Sequence, residues 1–341
     1  MKNIKDYNLP ELKNELESLG EKGYRAEQIF KWLYVDKVKS FDEMTNLSIE
    51  LREKLKDNYS ICNFNILKKL ESKDGTKKYL FDVLDGNAIE SVLMEYHHGK
   101  TICVSSQIGC KMGCKFCAST GIPFIRNLTS GEIVEQILAI EQDIETSISN
   151  IVFMGIGEPL DNYENVINAI EIINNPKGLN IGARHISIST SGLVPKIYDL
   201  ADRNMQCTLS ISLHASDDEI RSSMMPVNKT YNIKELLEAC KYYIEKTNRR
   251  ISFEYALAKD NNDNLEDAKK LADLLKGMLC HVNLIPINKI ENGQYTKSSN
   301  ENIIKFRDYL NSRGITATIR RELGSDIDAA CGQLRRKSLN K

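Results

Sequence analysis

No run of eighteen or more apolar residues occurs in this 341-residue chain, which leaves no candidate for a membrane-crossing helix. The N-terminal stretch MKNIKDYNLPELKNELESLG also lacks the apolar core and small-residue cleavage site of a secretory signal. The expectation is a cytoplasmic protein with no membrane partner. Charge of one sign is missing as well: 46 Lys and Arg stand against 47 Asp and Glu, a net charge of -1. With no global field to attract a polyanion, any case for a nucleic-acid partner must rest on local patches. Nor is there a disulfide framework. The nine cysteines, at 62, 103, 110, 114, 117, 207, 240, 280 and 331, are odd in number and irregularly spaced. That fits a reducing compartment, where thiols serve packing, metal or catalysis. Low-complexity segments and internal repeats are absent too. What is present is ordinary for a globular chain, 41% hydrophobic and 27% charged, long enough for one large α/β domain and a smaller accessory one.

Residues 1 to about 60 read as three helical segments: NLPELKNELESLG, RAEQIFKWLYV, and SFDEMTNLSIELREKLKDNY with Ser40 as its cap. From 61 to 100 the signals change to hairpins, with KKYLFDVL, a DGN turn and AIESVLMEY leading toward TICVSSQ. Beyond 100 a rhythm sets in. The β-rich runs TICVSSQ, IVFMG, HISISTS, TLSISLH, ISFEYAL, HVNLIPIN and TATIRRE are spaced by helix-period stretches such as SGEIVEQILAIEQDI, ENVINAIEIINN, IKELLEACKYYIEK and NLEDAKKLADLLKGM. Strand then helix, repeated, means a parallel sheet. Six or so units fall short of the eight that close a full barrel, so the pattern predicts an α/β fold on an open, partial (β/α)6 barrel, with a doubly wound sheet as the alternative. The expected division is a helical domain over 1–60, a hairpin linker over 61–100, a core over 101–322 and a tail over 323–341.

The unusual residues fall at one point of that rhythm. A cysteine cluster follows the first strand, GIGEP the second, STSG the third and SLH the fourth, while Glu254 sits late in the fifth and IPIN ends the sixth. Ligands bind at the C-terminal strand ends of parallel α/β folds, so one pocket would collect every motif. In the cluster IGCKMGCKFC, Cys110, Cys114 and Cys117 are spaced CxxxCxxC, and no second CxxC completes a structural zinc site. An iron-sulfur cubane held by three thiolates would keep one iron open for a substrate. Zinc, or a chance cluster of buried cysteines, is the alternative, although Lys111 and Lys115 argue for an exposed loop. Unaided, GIGEP reads equally well as a plain turn, and His214, Ser189 and Ser212 as ordinary strand-end residues. A carboxylate placed as Glu158 is would suit an ammonium group.

CxxxCxxC with Phe116 before its last cysteine resembles the signature of the radical S-adenosylmethionine (SAM) enzymes. More narrowly, CVSSQIGC, FMGIGEPL, STSGLVP, SISLHA, NLIPIN and GSDIDAACGQL resemble, in the same order, the RlmN/Cfr group of RNA adenine methyltransferases. The resemblance runs from about residue 10 to the tail. It implies that Cys110, Cys114 and Cys117 hold a 4Fe-4S cluster whose open iron chelates SAM. It also implies Gly157 and Glu158 at the methionine amino end, with Ser189, Ser212, Leu213, His214 and Asn288 around the rest. Two further cysteines acquire roles by it. Cys331, in the tail, would carry a methyl group, and Cys103, inside the first strand, would resolve the intermediate. On the residues alone, both read as easily as packing cysteines, and Asp326 and Asp328 oppose a low thiol pKa at Cys331 unless a cation offsets them.

Adenine C2 and C8 lie between ring nitrogens and are not nucleophilic, so direct attack on the methyl of SAM is closed. The implied route begins with Cys331 thiolate taking a methyl from one SAM by displacement. A second SAM, cleaved with an electron from a donor such as flavodoxin or ferredoxin, removes a hydrogen from that methyl, and the carbon radical adds to the ring. Loss of the ring proton to a base lets Cys103 attack the Cys331 sulfur, which frees the methylated RNA and leaves a disulfide. The base matched by the resemblance is Glu90. Alternation puts it on one strand face with Ala88, Val92 and Met94, where an apolar setting would raise its pKa, unless that edge is in solvent.

For RNA contact the chain offers Lys68, Lys69, Lys73, Lys77 and Lys78 in KKLESKDGTKKY, with six Lys or Arg from Arg320 onward against three acidic residues. Trp32, Tyr79 and Phe81 are stacking candidates, although a basic hairpin is by default merely solvated. The target adenine must be unstacked into the pocket. One branch of the group methylates C2 of an adenosine in the peptidyl-transferase region of 23S rRNA and of an adenosine beside the anticodon in certain tRNAs, and the other methylates C8 of the same rRNA adenosine. Asp328, where the C8 branch carries Asn, favours C2. The expectation is a monomer, although the sequence does not settle the oligomeric state. A non-enzymatic RNA-binding protein or an iron-sulfur electron carrier is the alternative from another class, and neither would need SAM or Cys331.

Overall fold

The computed structural model describes residues 1–97, 99–120, 122–288, 294–330 and 332–334, together with the backbone of 337–338. The chain begins with β1 (Lys2–Asn3), α1 (Leu9–Ser18), α2 (Arg25–Tyr34), α3 (Ile49–Asn58) and β2 (Tyr59–Ser60), and β2 pairs in parallel with β1. Asn8 starts α1 with a reciprocal cap: its side chain accepts from the Glu11 NH, and Glu11 accepts from the Asn8 NH, both at 3.0 Å. The third helical segment is shorter than its sequence pattern predicts. Ser40 caps only a 3-10 turn, Phe41–Glu43, and α3 starts again at Ser48, whose hydroxyl accepts from the Leu51 NH at 3.2 Å. Two good cap residues eight positions apart each begin a turn, so the segment divides.

There follow β3 (Asn65–Glu71), β4 (Lys77–Asp82), β5 (Asn87–Tyr96) and β6 (Gly99–Cys103), in which β4, β5 and β6 each run antiparallel to the strand before. The short pair β7 (Gln107–Ile108) and β8 (Arg126–Asn127) precedes α4 (Ser130–Ile144). Then come β9 (Asn150–Phe153), α5 (Tyr163–Asn174), β10 (Ile186–Thr190), α6 (Val194–Asp202), β11 (Thr208–Ser212), α7 (Asp218–Met224), α8 (Ile233–Thr247), β12 (Ile251–Leu257), α9 (Leu265–Leu275), β13 (Cys280–Pro286), α10 (Asn300–Ser312), β14 (Ala317–Ile319) and β15 (Lys337–Ser338). The strand order is β14-β13-β12-β11-β10-β9-β6-β5-β4-β3, with β15 beside β5. From β6 to β14 every neighbour is the next parallel strand in the chain, with no reversal of order, which excludes the doubly wound alternative.

This sheet is rolled. Arg320, just past β14, reaches Met154, just past β9, with Nη1 3.4 Å from the sulfur. In a flat sheet those strands, five steps apart, would be separated by about 24 Å. The result is an open partial barrel whose hairpin strands β5, β4 and β3 continue the same sheet beyond β6.

Twelve residues of α4 are buried, because the N-terminal helices cover the face that the barrel does not. Lys5 Nζ meets Glu135 Oε2 at 2.6 Å with both side chains buried, and also donates to the Cys62 carbonyl at 2.8 Å. Glu135 Oε1 accepts the Phe64 NH at 3.1 Å, and one turn and a half further on Lys37 pairs with Glu141 at 2.8 Å. Lys5→Met is expected to lower stability by about 3–5 kcal/mol, because it strands a buried carboxylate. Adding Glu135→Gln, which still accepts from Phe64, should recover most of that loss. Urea unfolding of the two variants checks this, and a single-variant cost below about 1 kcal/mol would show the pair to be unimportant.

Candidate active site

β7 and β8 close the base of a loop that carries the three cysteines, tied further by the Ile125 NH to the Ile108 carbonyl at 2.8 Å. Gln107, at that base, donates to Asn127 Oδ1 at 2.9 Å and Asp161 Oδ2 at 2.8 Å, while its own Oε1 accepts the Glu158 NH at 2.8 Å. It thereby fastens the cysteine loop to the GIGEP turn. Gly157 has φ +109°, and a Cβ there would come within 2.6 Å of Gln107 Cβ, so the motif's second glycine is required by this contact.

A cavity at the C-terminal strand ends is lined by Cys110, Cys114 and Cys117 together with Gly157, Glu158, Ser189, Ser212, His214 and Asn288. One shared pocket is what the strand-end positions predicted. Leu213 is the exception. It is buried in the core, its NH donating to the Glu254 carbonyl at 3.1 Å and its own carbonyl accepting from Arg221 Nε at 3.0 Å. Glu158 is buried, with Oε2 accepting the Ser191 NH at 2.7 Å and Oε1 the Leu160 NH at 3.0 Å. Burial raises its pKa and these hydrogen bonds oppose the rise.

Burial pushes the Cys110 thiol up to about 11 and Cys114 well above its ordinary value, and Cys117 nearby raises both further. As thiolates these groups would repel one another beside a buried glutamate, so the site suits a multiply charged cationic group. Among the described residues no group of three His, Cys, Asp or Glu side chains is close enough to hold a single metal ion. A cubane spreads its thiolates over separate irons, so the donor set fits a cluster and not a lone zinc. Lys111 and Lys115 are exposed, as the loop reading required.

A second cavity shares Met154, Ile285, Asn288, Arg320 and Gly332 with the first. Cys103 lines it, 7% exposed, opposite Val92 on β5. Glu90, two residues before Val92 on the same face, is 1% exposed and lies 3.5 Å from Lys78 Nζ. Burial removes the solvent-edge reading of Glu90. Cys331 lies outside the described residues, whereas its neighbours Ala330 and Gly332 both line this second cavity.

Several expected RNA contacts point inward. Tyr79 and Phe81 are fully buried and stacked on each other at 5.9 Å, and Lys78 is 7% exposed. The reason is that β4 is an interior strand, covered on both faces. Arg320 turns into the barrel to meet Glu254 at 3.4 Å. Lys68 and Lys73 remain exposed, and Trp32 is half-buried, donating to Asn46 Oδ1 at 2.7 Å.

Sequence reasoning missed Arg221, which looks like a solvated residue of a polar stretch. It is fully buried and donates to the carbonyls of Ser191, Ser212 and Leu213 and to Asn228 Oδ1, at 2.7, 3.1, 3.0 and 2.8 Å. No signal in a single sequence marks it.

An open parallel barrel with a three-cysteine loop at its mouth is the architecture of the radical SAM enzymes, and residues 104–275 match the Radical SAM superfamily. Members of that superfamily use a 4Fe-4S cluster and SAM, and this chain is an enzyme of that class. Residues 2–61 match the ribosomal RNA large subunit methyltransferase N-terminal domain. A probable dual-specificity RNA methyltransferase RlmN of Clostridium novyi is 56% identical over 98% of both chains, and one of Clostridium botulinum 54% identical over the full length of both. The crystal structure of a radical SAM methyltransferase from Sphaerobacter thermophilus superposes with a TM-score of 0.93, at 43% identity, over 98% of this chain and 99% of that one. The chain belongs to the RlmN family of radical SAM RNA methyltransferases. Among the described residues no helix is long and apolar enough to cross a membrane.

His214 supplies a test. Its Nδ1 accepts the Ala256 NH at 2.9 Å, which leaves the proton on Nε2, and burial, then the nearby Arg221 charge, lowers its pKa to about 3. Between pH 6.5 and 3 the unfolded chain would bind a proton there and the folded one would not, so stability falls as pH drops through that window. The expected loss from this group is on the order of 2 kcal/mol by pH 5. His214→Gln, which keeps the acceptor, should lose correspondingly less between pH 7 and 5 in thermal unfolding. Equal losses in the two proteins would refute the assignment.

Proposed function

We propose that this protein methylates C2 of an adenosine in the peptidyl-transferase region of 23S rRNA and C2 of an adenosine beside the anticodon of certain tRNAs, in the cytoplasm and as a monomer. The observation that carries this reading is the shared wall between two cavities, one lined by Cys110, Cys114 and Cys117, the other by Cys103 and the flanks of Cys331. When bound, the 4Fe-4S cluster and SAM, reduced by a donor such as flavodoxin or ferredoxin, supply the radical that removes hydrogen from a methyl group.

The chain's own groups do the rest. Glu158 and Gly157 face the methionine amino end of SAM, with Ser189, Ser212, His214 and Asn288 around its remainder; Leu213, buried behind the wall, supports that wall and does not touch SAM. Cys331 takes a methyl from one SAM and, after hydrogen loss to a second, joins it to the adenine ring. Glu90 accepts the ring proton and the Cys103 thiol attacks the Cys331 sulfur, so that a disulfide forms as the methylated RNA leaves; the thiol's proton completes the methyl group, and the one surplus electron would go to the bound cluster. Burial of Glu90 and Cys103 on one sheet face beside the second cavity supports these roles. We assign RNA docking to the N-terminal unit over 1–60 and the exposed lysines of the 61–100 hairpins, chemistry to 101–322, and methyl carriage to the tail over 323–341.

Incubating the anaerobically reconstituted protein with SAM, a reductant and unmodified 23S rRNA should yield 2-methyladenosine in digested nucleosides, and Cys331→Ala none. Mass spectrometry against standards reads both. Finding 8-methyladenosine instead would move the target to C8, and no methyladenosine despite a SAM-responsive cluster would overturn the reading.

A further inference from the structure

The β3–β4 turn is built by its own residues: the Ser72 NH donates to the Thr76 carbonyl at 2.8 Å, and the Thr76 NH to Asp74 Oδ1 at 2.9 Å. Groups left over from that turn reach the tail, some 250 residues away. Asp74 Oδ2 accepts the Gly324 NH at 2.9 Å, Ser72 Oγ donates to Asp326 Oδ1 at 2.5 Å, and the Lys73 NH donates to Asp326 Oδ2 at 3.3 Å. Gly324 adopts φ +65°, and a Cβ there would come within 2.9 Å of Thr76 Cγ2, so the two loops meet backbone against side chain. On β4, Lys78 donates to the Asp328 carbonyl at 2.9 Å while its ammonium stays 3.5 Å from Glu90. The far end of the tail is held separately. The Ala118 NH, just after the third cysteine of the loop, donates to the Gly332 carbonyl at 2.6 Å, and Ser119 Oγ to the Leu334 carbonyl at 2.9 Å.

We propose that the β3–β4 hairpin is a clamp that seats the tail, and that Lys78 is the positioning residue that sets Glu90 against it. The assignment of Lys78 rests on the reading of Glu90 as base and Cys331 as methyl carrier; the clamp itself does not. A buried ammonium is held only by good acceptors, and Lys78 has one on each side of the seam between sheet and tail. Its three donors join a carboxylate on β5 to a backbone carbonyl three positions before Cys331, so moving the tail also disturbs the base.

Two variants test this in the cluster-loaded full chain. Ser72→Ala with Asp326→Ala, at the rim of the turn and away from both cavities, should speed hydrogen exchange at the Gly324 and Ala329 amides about ten-fold or more. Lys78→Met should lower the methyladenosine formed per 5'-deoxyadenosine about ten-fold or more, with cluster content and SAM binding unchanged and partial rescue by Lys78→Arg. Unchanged tail exchange in the double variant overturns the clamp, and unchanged coupling in Lys78→Met overturns the positioning role. If the parent protein makes no methyladenosine, the proposed function fails, while the exchange measurement, which needs no RNA, still decides the clamp.

Discussion

The guanidinium of Arg221 holds the mouth of the barrel in shape. Parallel strands end in carbonyls with no further ladder to join, and here those of Ser191, Ser212 and Leu213 converge on one fully buried cation. A planar fork with several fixed donors satisfies acceptors from two adjacent strand ends at once, which a lysine cannot do in the same geometry. Burial lowers its pKa to about 10, so it stays charged near neutrality, and the Cys114 side chain next to it favours that charge. The same residue therefore fixes the strand ends that shape one wall of the cavity and places a permanent positive charge beside the cysteine loop. Carbonyl dipoles and Asn228 accept its hydrogen bonds, and the carboxylate of Asp218, held by Asn228, favours its charge from the next position out.

The groups assigned to the chemistry sit where the sheet changes character. β6 is parallel to β9 on one side and antiparallel to β5 on the other, and Cys103 ends it. Parallel strands deliver their loops to one end, which is why the cysteines, the GIGEP turn and His214 gather around one cavity. Antiparallel hairpins instead return the chain across the seam, so that Glu90, Val92 and Met94 stand beside Cys103 on the same face. A second cavity opens at this junction and shares a wall with the first. The two sets of groups to which different tasks are assigned are thus adjacent because the sheet is continuous, not because two domains happen to touch.

What the sequence made legible was local. Three cysteines within eight residues, glycines at fixed offsets and strand-helix alternation are each properties of a short window, and the structure puts them together as expected. The inward direction of Tyr79, Phe81 and Lys78 was not legible, since alternation tells which residues share a face but not whether that face is covered. Lys78 is buried by a tail 250 residues away, and Arg320 is half-buried by a barrel that exists only when β14 has rolled round toward β9. Arg221 is the extreme case. Its partners are backbone carbonyls, which every residue carries, so nothing in the sequence identifies them as its targets.

The joint between the N-terminal helices and the barrel follows the same logic from the other side. α4 presents Glu135 and Glu141 outward from the barrel, and a helix with buried carboxylates on its outer face can be stable only with a cationic cover. Lys5 and Lys37 provide that cover from two separate points of the N-terminal segment, and Asp6 adds a hydrogen bond to the Gly131 NH at 2.9 Å. Three contacts spread along one helix fix an angle as well as a position, because rotation about any one breaks the other two. α4 in turn supplies Gln136, which accepts from the Ser105 NH at 2.8 Å and the Ser91 hydroxyl at 2.7 Å, immediately beside Glu90 and Cys103. The helix that holds the N-terminal unit in place is therefore the one that braces the seam, so the accessory helices and the sheet face of Glu90 and Cys103 share a single support.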